Sequence, residues 1–309
     1  MTMAPPTATA AFYERGGAVG LLRGLLRASE RVWPALAVRL AKALFLTPLP
    51  PRWARRGRAW GPGWHVESMP FEGASLTLYH PLRSTWPGDV TALDVSRPQV
   101  LLLHGWAGHG GQLRSLADAL ADAGLNPVVV EMPAHGRSAG WQSSLPQFAR
   151  ALDFVTDGLI ERGGCVRAVV AHSLGGAAAA HAMARGLPAD RLVLVAAPDA
   201  PCDFTFAFAR VFGLSERTRA SMQRRIESSE GAWMSQFDAG WSGPRVTRPT
   251  LVLHDEGDRV NVVASARRLA ALIVGSELHL TRGLGHRRIL EDADVLARIC
   301  AFVSPSPST

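Results

Sequence analysis

Apolar positions along this 309-residue chain keep two rhythms, and the switches between them outline the elements. Between Gly63 and Leu82 apolar and polar residues alternate in two runs, Trp64–Ser68 and Ala74–His80. Alternation of period two predicts an antiparallel hairpin turning at Phe71-Glu72-Gly73. Shorter, largely apolar segments follow at 99–104, 127–131, 167–170, 191–195 and 249–254, with Glu277–Leu280 after them, and each predicts a strand. The continuous runs at 99–104 and 167–170 predict buried strands. Helical periodicity fills the spaces between them, over 112–123, 145–162, 177–185, 263–272 and 287–303. Strand–helix alternation after an initial hairpin predicts an α/β architecture: a mostly parallel, doubly wound sheet of about eight strands with helices on both faces.

Two segments break the rhythm. From Pro201 to Arg248 there is no strand pattern, only helical patches rich in Phe, Met and Arg, including Phe204, Phe208, Met222, Ile226 and Trp233. At this place in the order, residues 201–248 read as a helical cap over the carboxyl ends of the strands. The other segment is residues 1–60, a helical extension and linker ahead of the main domain at 61–303. Residues 1–10 read as unstructured, and 304–309 as a polar Ser/Pro tail. From Gly17 to Phe45, Leu22, Leu26, Trp33, Leu36, Leu40 and Leu44 recur on one helical face, opposite Arg23, Arg27, Arg31 and Lys42. Pro34 is expected to kink or divide this helix.

Charge sharpens the picture of that extension. The net charge is +7, yet residues 1–60 hold 10 basic and 2 acidic side chains, leaving 23 basic and 24 acidic elsewhere. The near-neutral body gives no reason to expect nucleic acid as a partner. The favoured reading docks the extension on the body through its leucines; the alternative lays residues 17–45 on anionic lipid as a peripheral membrane contact. Arginines interrupt the apolar stretch, which excludes a secretory signal. An organellar presequence also matches the composition, but arginine used in place of lysine points to a GC-rich bacterial genome. No run of about 18 apolar residues exists to span a bilayer. Cys165, Cys202 and Cys300 are odd in number and lack metal spacing, which fits a reducing, cytoplasmic compartment and core positions.

Candidate chemistry centres on Ala171-His172-Ser173-Leu174-Gly175-Gly176, between the apolar run Arg167–Val170 and an alanine-rich helix. A serine at a strand-to-helix turn with small residues two positions to either side is the nucleophile-elbow pattern; an ordinary helix N-cap is the plainer reading of the same residues. A serine hydroxyl needs a base, and the base needs an orienting acid. The run 250–254 leads into Asp255-Glu256-Gly257-Asp258, and 277–280 leads into Gly283-Leu284-Gly285-His286. A histidine in a Gly-x-Gly-His loop, after the acid and in the order serine, acid, histidine, completes the set. His104, His109, His135, His172 and His254 lack paired-ligand spacing, so no metal or cofactor is expected. His109 and Gln112 are placed where substrate could touch them.

Together these motifs resemble the α/β-hydrolase fold superfamily over roughly residues 61–303. The resemblance rests on Leu103-His104-Gly105-Trp106, Pro133-Ala134-His135-Gly136-Arg137-Ser138, the Ser173 elbow, and the Asp258 and His286 loops. Ala171, Ala134 and Asn261 depart from the usual residues at their positions. The resemblance implies Ser173 as nucleophile, His286 as base, Asp258 as the orienting acid, and an oxyanion hole from the backbone N–H groups of Trp106 and Leu174. Asp255 and Asp199 compete for the acid's role. It further implies a serine hydrolase acting on a small-molecule carboxylic ester. Thioesterases, acyltransferases, cofactor-free haloperoxidases and carbon–carbon bond hydrolases share the triad, and a membrane-associated lipase or a non-catalytic binding protein are more distant readings. Haloalkane dehalogenases and epoxide hydrolases resemble this fold too, but carry Asp at the elbow.

Overall fold

The computed structural model describes residues 17–49, 60–82 and 94–304. The amino-terminal ten residues, most of the linker and the end of the polar tail lie outside the described residues. The alternating runs form β1 (Trp64–Phe71) and β2 (Ala74–Pro81), paired with Phe71 opposite Ala74. Glu72 and Gly73 turn the hairpin at φ 45° and 74°, the paired positive values that match the twist of two-residue hairpins. The later segments form β3 (Gln99–Leu103), β4 (Asn126–Glu131), β5 (Val166–His172), β6 (Ala189–Val195), β7 (Thr250–Asp255) and, half-exposed at the sheet edge, β8 (Glu277–Thr281). All join one 8-stranded sheet in the order β1-β2-β4-β3-β5-β6-β7-β8, in which β2 alone runs against its neighbours.

Alternate residues of each inner strand feed opposite faces, so two cores form. Leu101, Leu103, Val128, Val130 and Val169 pack on one side, with α4 (Leu145–Glu161), α5 (Leu174–Ala184) and a helix at Val263–Leu272. Val100, Leu102, Val129 and Val170 pack on the other, with α3 (Arg114–Asp122) and a helix at Ala293–Val303. The single helix expected over 287–303 is in fact two. Asp292 stops it by accepting a hydrogen bond from Val295 N–H at 3.1 Å and so opening a new helix at Ala293. The expected core placement of the cysteines holds only in part: Cys165 is exposed, whereas Cys202 and Cys300 are half-buried at the edges of core clusters. Cys202 donates to Asp238 Oδ2 at 3.2 Å, and burial, then the Asp238 charge, pushes its thiol up to about 12.

The extension consists of α1 (Gly17–Val32) and α2 (Pro34–Phe45), divided at Trp33 because Pro34 suits a first turn and not a helix interior. It docks on the cap and not on the sheet. The cap is built from α6 (Asp203–Phe212) and α7 (Glu216–Glu230), with short turns to Arg245 and no strand. Leu26, Val38, Ala41 and Leu46 share a third core with Phe208, Phe212, Met222 and Ile226. The expected leucine stripe holds only in part. Leu22 and Leu44 are half-buried, but Trp33, Leu36 and Leu40 face solvent. The break at Pro34 resets the helical phase, and the small residues Ala37 and Ala41 let α2 lie close to its neighbours. Nor are the basic residues simply a solvated face. Arg23 and Arg27 donate to the carbonyls of Arg210 and Gly213, and Lys42 donates to Ser229 Oγ at 2.7 Å. These contacts place cations at the carboxyl ends of α6 and α7, where free carbonyls and the helix dipole favour them.

Leu26→Ala is expected to cost about 2–5 kcal/mol and to lower the melting temperature by several degrees, whereas Leu21→Ala, on an exposed face, leaves it unchanged. Removing residues 1–49 uncovers Phe208, Phe212, Met222 and Ile226, and the expected product is aggregated on size-exclusion chromatography. A soluble, fully active truncation would contradict this docking.

Candidate active site

Ser173 occupies the turn between β5 and the helix at Leu174, with φ 53° and ψ −127°. Crowding explains the small residues around it. A Cβ at Gly175 would lie 2.5 Å from the His104 carbonyl oxygen, and one at Gly105 would lie 2.6 Å from the Ser173 Cβ. The Ser173 N–H is tied to Val195 O at 2.9 Å, so the turn is pinned from the neighbouring strand.

Three loops then converge. His286, in a one-turn helix at Gly285–Arg288, places Nε2 3.0 Å from Ser173 Oγ and Nδ1 2.7 Å from Asp258 Oδ2. A carboxylate can only accept, so Nδ1 carries the proton and Nε2 is left to accept from the serine hydroxyl. The other Asp258 oxygen accepts from Val260 N–H at 2.7 Å and Asn261 N–H at 3.0 Å. Burial works to raise the Asp258 pKa, but the His286 hydrogen bond and charge and these two N–H groups outweigh it, holding the carboxyl below its usual range. Asn261, which departs from the usual residue here, ties the loop to Ala196 O at 2.8 Å.

The competing acids are elsewhere. Asp255 is fully buried and accepts from Gly257 N–H, Thr281 Oγ and Leu284 N–H at 2.9–3.0 Å. Burial would raise its pKa, and the hydrogen bonds, led by Leu284, bring it below the normal range instead. It therefore holds the loop that carries His286 without touching the imidazole. Asp199 pairs with Ser265 at 2.7 Å and Arg268 at 3.6 Å.

The histidines set aside as turn and core residues turn out to be braces. His104 Nε2 accepts from Met132 N–H at 3.1 Å, and His135 Nε2 accepts from Ala107 N–H at 2.9 Å. The loops after β3 and β4 are thus cross-linked, one imidazole from each side. His172 donates to the His286 carbonyl at 2.8 Å with the two rings 4.6 Å apart. Burial lowers its pKa to about 3, so it adds no charge next to His286. Glu131 is a further buried brace, accepting from Gly110 N–H, Arg137 N–H and the Tyr79 hydroxyl at 2.6–2.9 Å. A Cβ at Gly136 would collide with its carboxylate at 2.1 Å. Sequence reasoning missed Glu131; its only signal is its position at the end of a buried apolar run.

A cavity of about 130 Å³ opens beside Ser173 and His286. Trp106 and Leu174 line it, and their backbone N–H groups donate no hydrogen bond among the described residues. Gln112 also lines it; His109 does not. The cap supplies Phe204, Ile226 and Met234, and α2 ends at the wall with Phe45 and Leu46, which the sequence pattern did not assign to the site. Among the described residues, no cluster of three or more His, Cys, Asp or Glu is placed to hold a metal ion.

The sequence model of a hydrolase family described as serine aminopeptidase, S33, matches residues 94–224. No curated protein matches the chain in sequence. Among solved structures, the Pyrococcus furiosus esterase superposes with a TM-score of 0.59 at 15% identity, covering 81% of this chain and 96% of its own. A thioesterase domain from the curacin biosynthetic pathway gives 0.52 at 17%, covering 78% and 99%. A membrane phospholipase A described as a bacterial virulence factor gives 0.56 at 15%, covering 93% and 97%. Sheet order, elbow and superpositions agree: this chain has the α/β-hydrolase fold.

Proposed function

We propose that this protein is a serine hydrolase that cleaves a carboxylic ester through an acyl-enzyme. One observation carries the reading: the unbroken hydrogen-bonded line from Ser173 through His286 to Asp258, at 3.0 and 2.7 Å. Ser173 Oγ attacks the ester carbonyl as His286 Nε2 takes its proton. Asp258 keeps the Nδ1–H tautomer in place and offsets the imidazolium charge. The protonated His286 then gives its proton to the departing alkoxide oxygen. In the second half it draws a proton from water, which attacks the acyl carbonyl, and hands that proton to Ser173 Oγ as the carbon–Oγ bond breaks and the acid leaves. The negative oxygen of each tetrahedral intermediate is received by the N–H groups of Trp106 and Leu174. Losing one such donor typically costs ~10²–10³ in turnover.

The cavity bears on the substrate. Its wall of Phe45, Leu46, Trp106, Leu145, Phe204 and Ile226 is apolar, and its size suits a group about as large as benzene, which an engineered apolar cavity of ~150 Å³ accepts. A short acyl chain fits better than a long one. The three cysteines without disulfide partners suit a reducing, cytoplasmic setting.

Ser173→Ala is expected to abolish both ester hydrolysis and labelling by a fluorophosphonate probe while leaving the melting curve intact. Labelling that persists at another serine would sink the assignment. Asp258→Asn should lower kcat by orders of magnitude with little change in stability. Asp255→Asn should do the converse, loosening the His286 loop and lowering the melting temperature more than the turnover. Across p-nitrophenyl esters, kcat/KM should peak at chains of about four to six carbons. A maximum at long chains would show that the acyl group lies outside this cavity.

A further inference from the structure

Helix α1 carries two apolar stripes, and the fold uses one. Leu22 and Leu26 turn toward the cap. Leu21, Leu25, Ala28 and Val32 recur four and three residues apart along another side, all open to solvent, with Leu21 68% and Val32 86% exposed. Past the break, Trp33 is 62% exposed, and Leu36 and Leu40 on α2 face solvent as well. Scattered exposed leucines are ordinary, but a run of six large apolar side chains along one short extension is a patch.

Beside this patch lies a basic groove. A space of about 1090 Å³ opens between α1–α2 and α7, lined by Arg31, Arg39, Lys42, Arg217, Arg224 and Arg225. Among the described residues that line it, Glu30 is the one carboxylate, and it is engaged with Ser215 N–H and Oγ. Among the described residues, Arg31, Arg39, Arg217 and Arg225 pair with no carboxylate. On α2, at ~100° per residue, Arg39 and Ala43 stand between groove-lining Ala35 and Lys42 and exposed Leu36 and Leu40, so groove and patch share an edge.

We propose that this face docks on an anionic membrane surface, with the apolar stripe in the headgroup–acyl boundary and the unpaired arginines on lipid phosphates. A second copy seated here would bring uncompensated arginines against their own kind, which like-charge repulsion opposes. No described helix is long and apolar enough to cross a membrane, so the contact is with the surface. Because α2 ends at Phe45 and Leu46 in the cavity wall, docking would hold the cavity within about 18 Å of lipid, the length of a twelve-residue helix.

Docking does not depend on ester cleavage, so full-length Ser173→Ala protein is the reagent. It is floated with vesicles of phosphatidylcholine alone and with phosphatidylglycerol added. The expected result is binding to the phosphatidylglycerol vesicles that is lost at about 1 M salt, where the screening length falls to about 3 Å. Val32→Glu with Trp33→Glu, and separately Arg31→Glu with Arg39→Glu, should each weaken that binding at least ~tenfold. The same pairs in the Ser173 background should keep hydrolysis of a water-soluble ester and the melting temperature, which separates lost docking from lost folding. Absence of vesicle binding, or binding that ignores both pairs, overturns the proposal. So does a stable dimer on sedimentation that the Val32/Trp33 pair dissociates without any vesicle binding, since the stripe would then belong to a second copy.

Discussion

The turn at Ser173 holds a non-glycine residue at a φ of 53°, a conformation that costs on the order of 1–3 kcal/mol, and the surrounding fold is arranged to impose it. β5 is buried among parallel neighbours and cannot shift, and the Ser173 N–H is fixed to β6. The alanine-rich helix that follows buries Ala177 to Ala182 against the sheet, so the chain must leave the strand within one residue. Gly105 and Gly175 provide the room. A larger side chain at either would push the β3 loop away from the serine and part the two N–H groups assigned to the oxyanion.

Around this turn, carboxylates taken out of water do most of the loop positioning. Asp255 lies at the end of β7, Asp258 just after it, and Glu131 at the end of β4. A buried carboxylate is costly unless its oxygens are satisfied, and each of these gathers donors from a different stretch of chain. Asp258 gathers Val260, Asn261 and His286; Asp255 gathers Gly257, Thr281 and Leu284; Glu131 gathers Tyr79, Gly110 and Arg137. Requiring satisfaction thus forces distant loops into one geometry. Neutral His104, His135 and His172 extend the same scheme with backbone partners, and burial keeps His172 uncharged beside the His286 imidazole.

The extension and the cap form one structural unit. Their shared core runs from Leu26 to Met234, and the basic side chains of the extension satisfy the ends of the cap helices. Since α2 and the cap both reach the cavity wall, any movement of that unit would reshape the space beside Ser173.

Strands, helices, hairpin turn and the Ser173 elbow were legible in the sequence because each is a local pattern whose cause lies within a few residues. The order of Ser173, Asp258 and His286 was legible for a related reason, since parallel strands deliver their loops to one edge. Other features depended on contacts between distant segments. Asp255 and Asp258 are three residues apart and chemically alike; what separates them is that Leu284 and Thr281 take one while His286 takes the other. Helical spacing placed Leu36 and Leu40 on the same stripe as Leu26, but spacing cannot register the phase change at Pro34 or know that the cap prefers Ala37 and Ala41. Phe45 joined the cavity only when the extension found the cap. Local periodicity determined which faces were apolar; the tertiary structure decided which were covered, because burial depends on a partner surface that no single segment encodes.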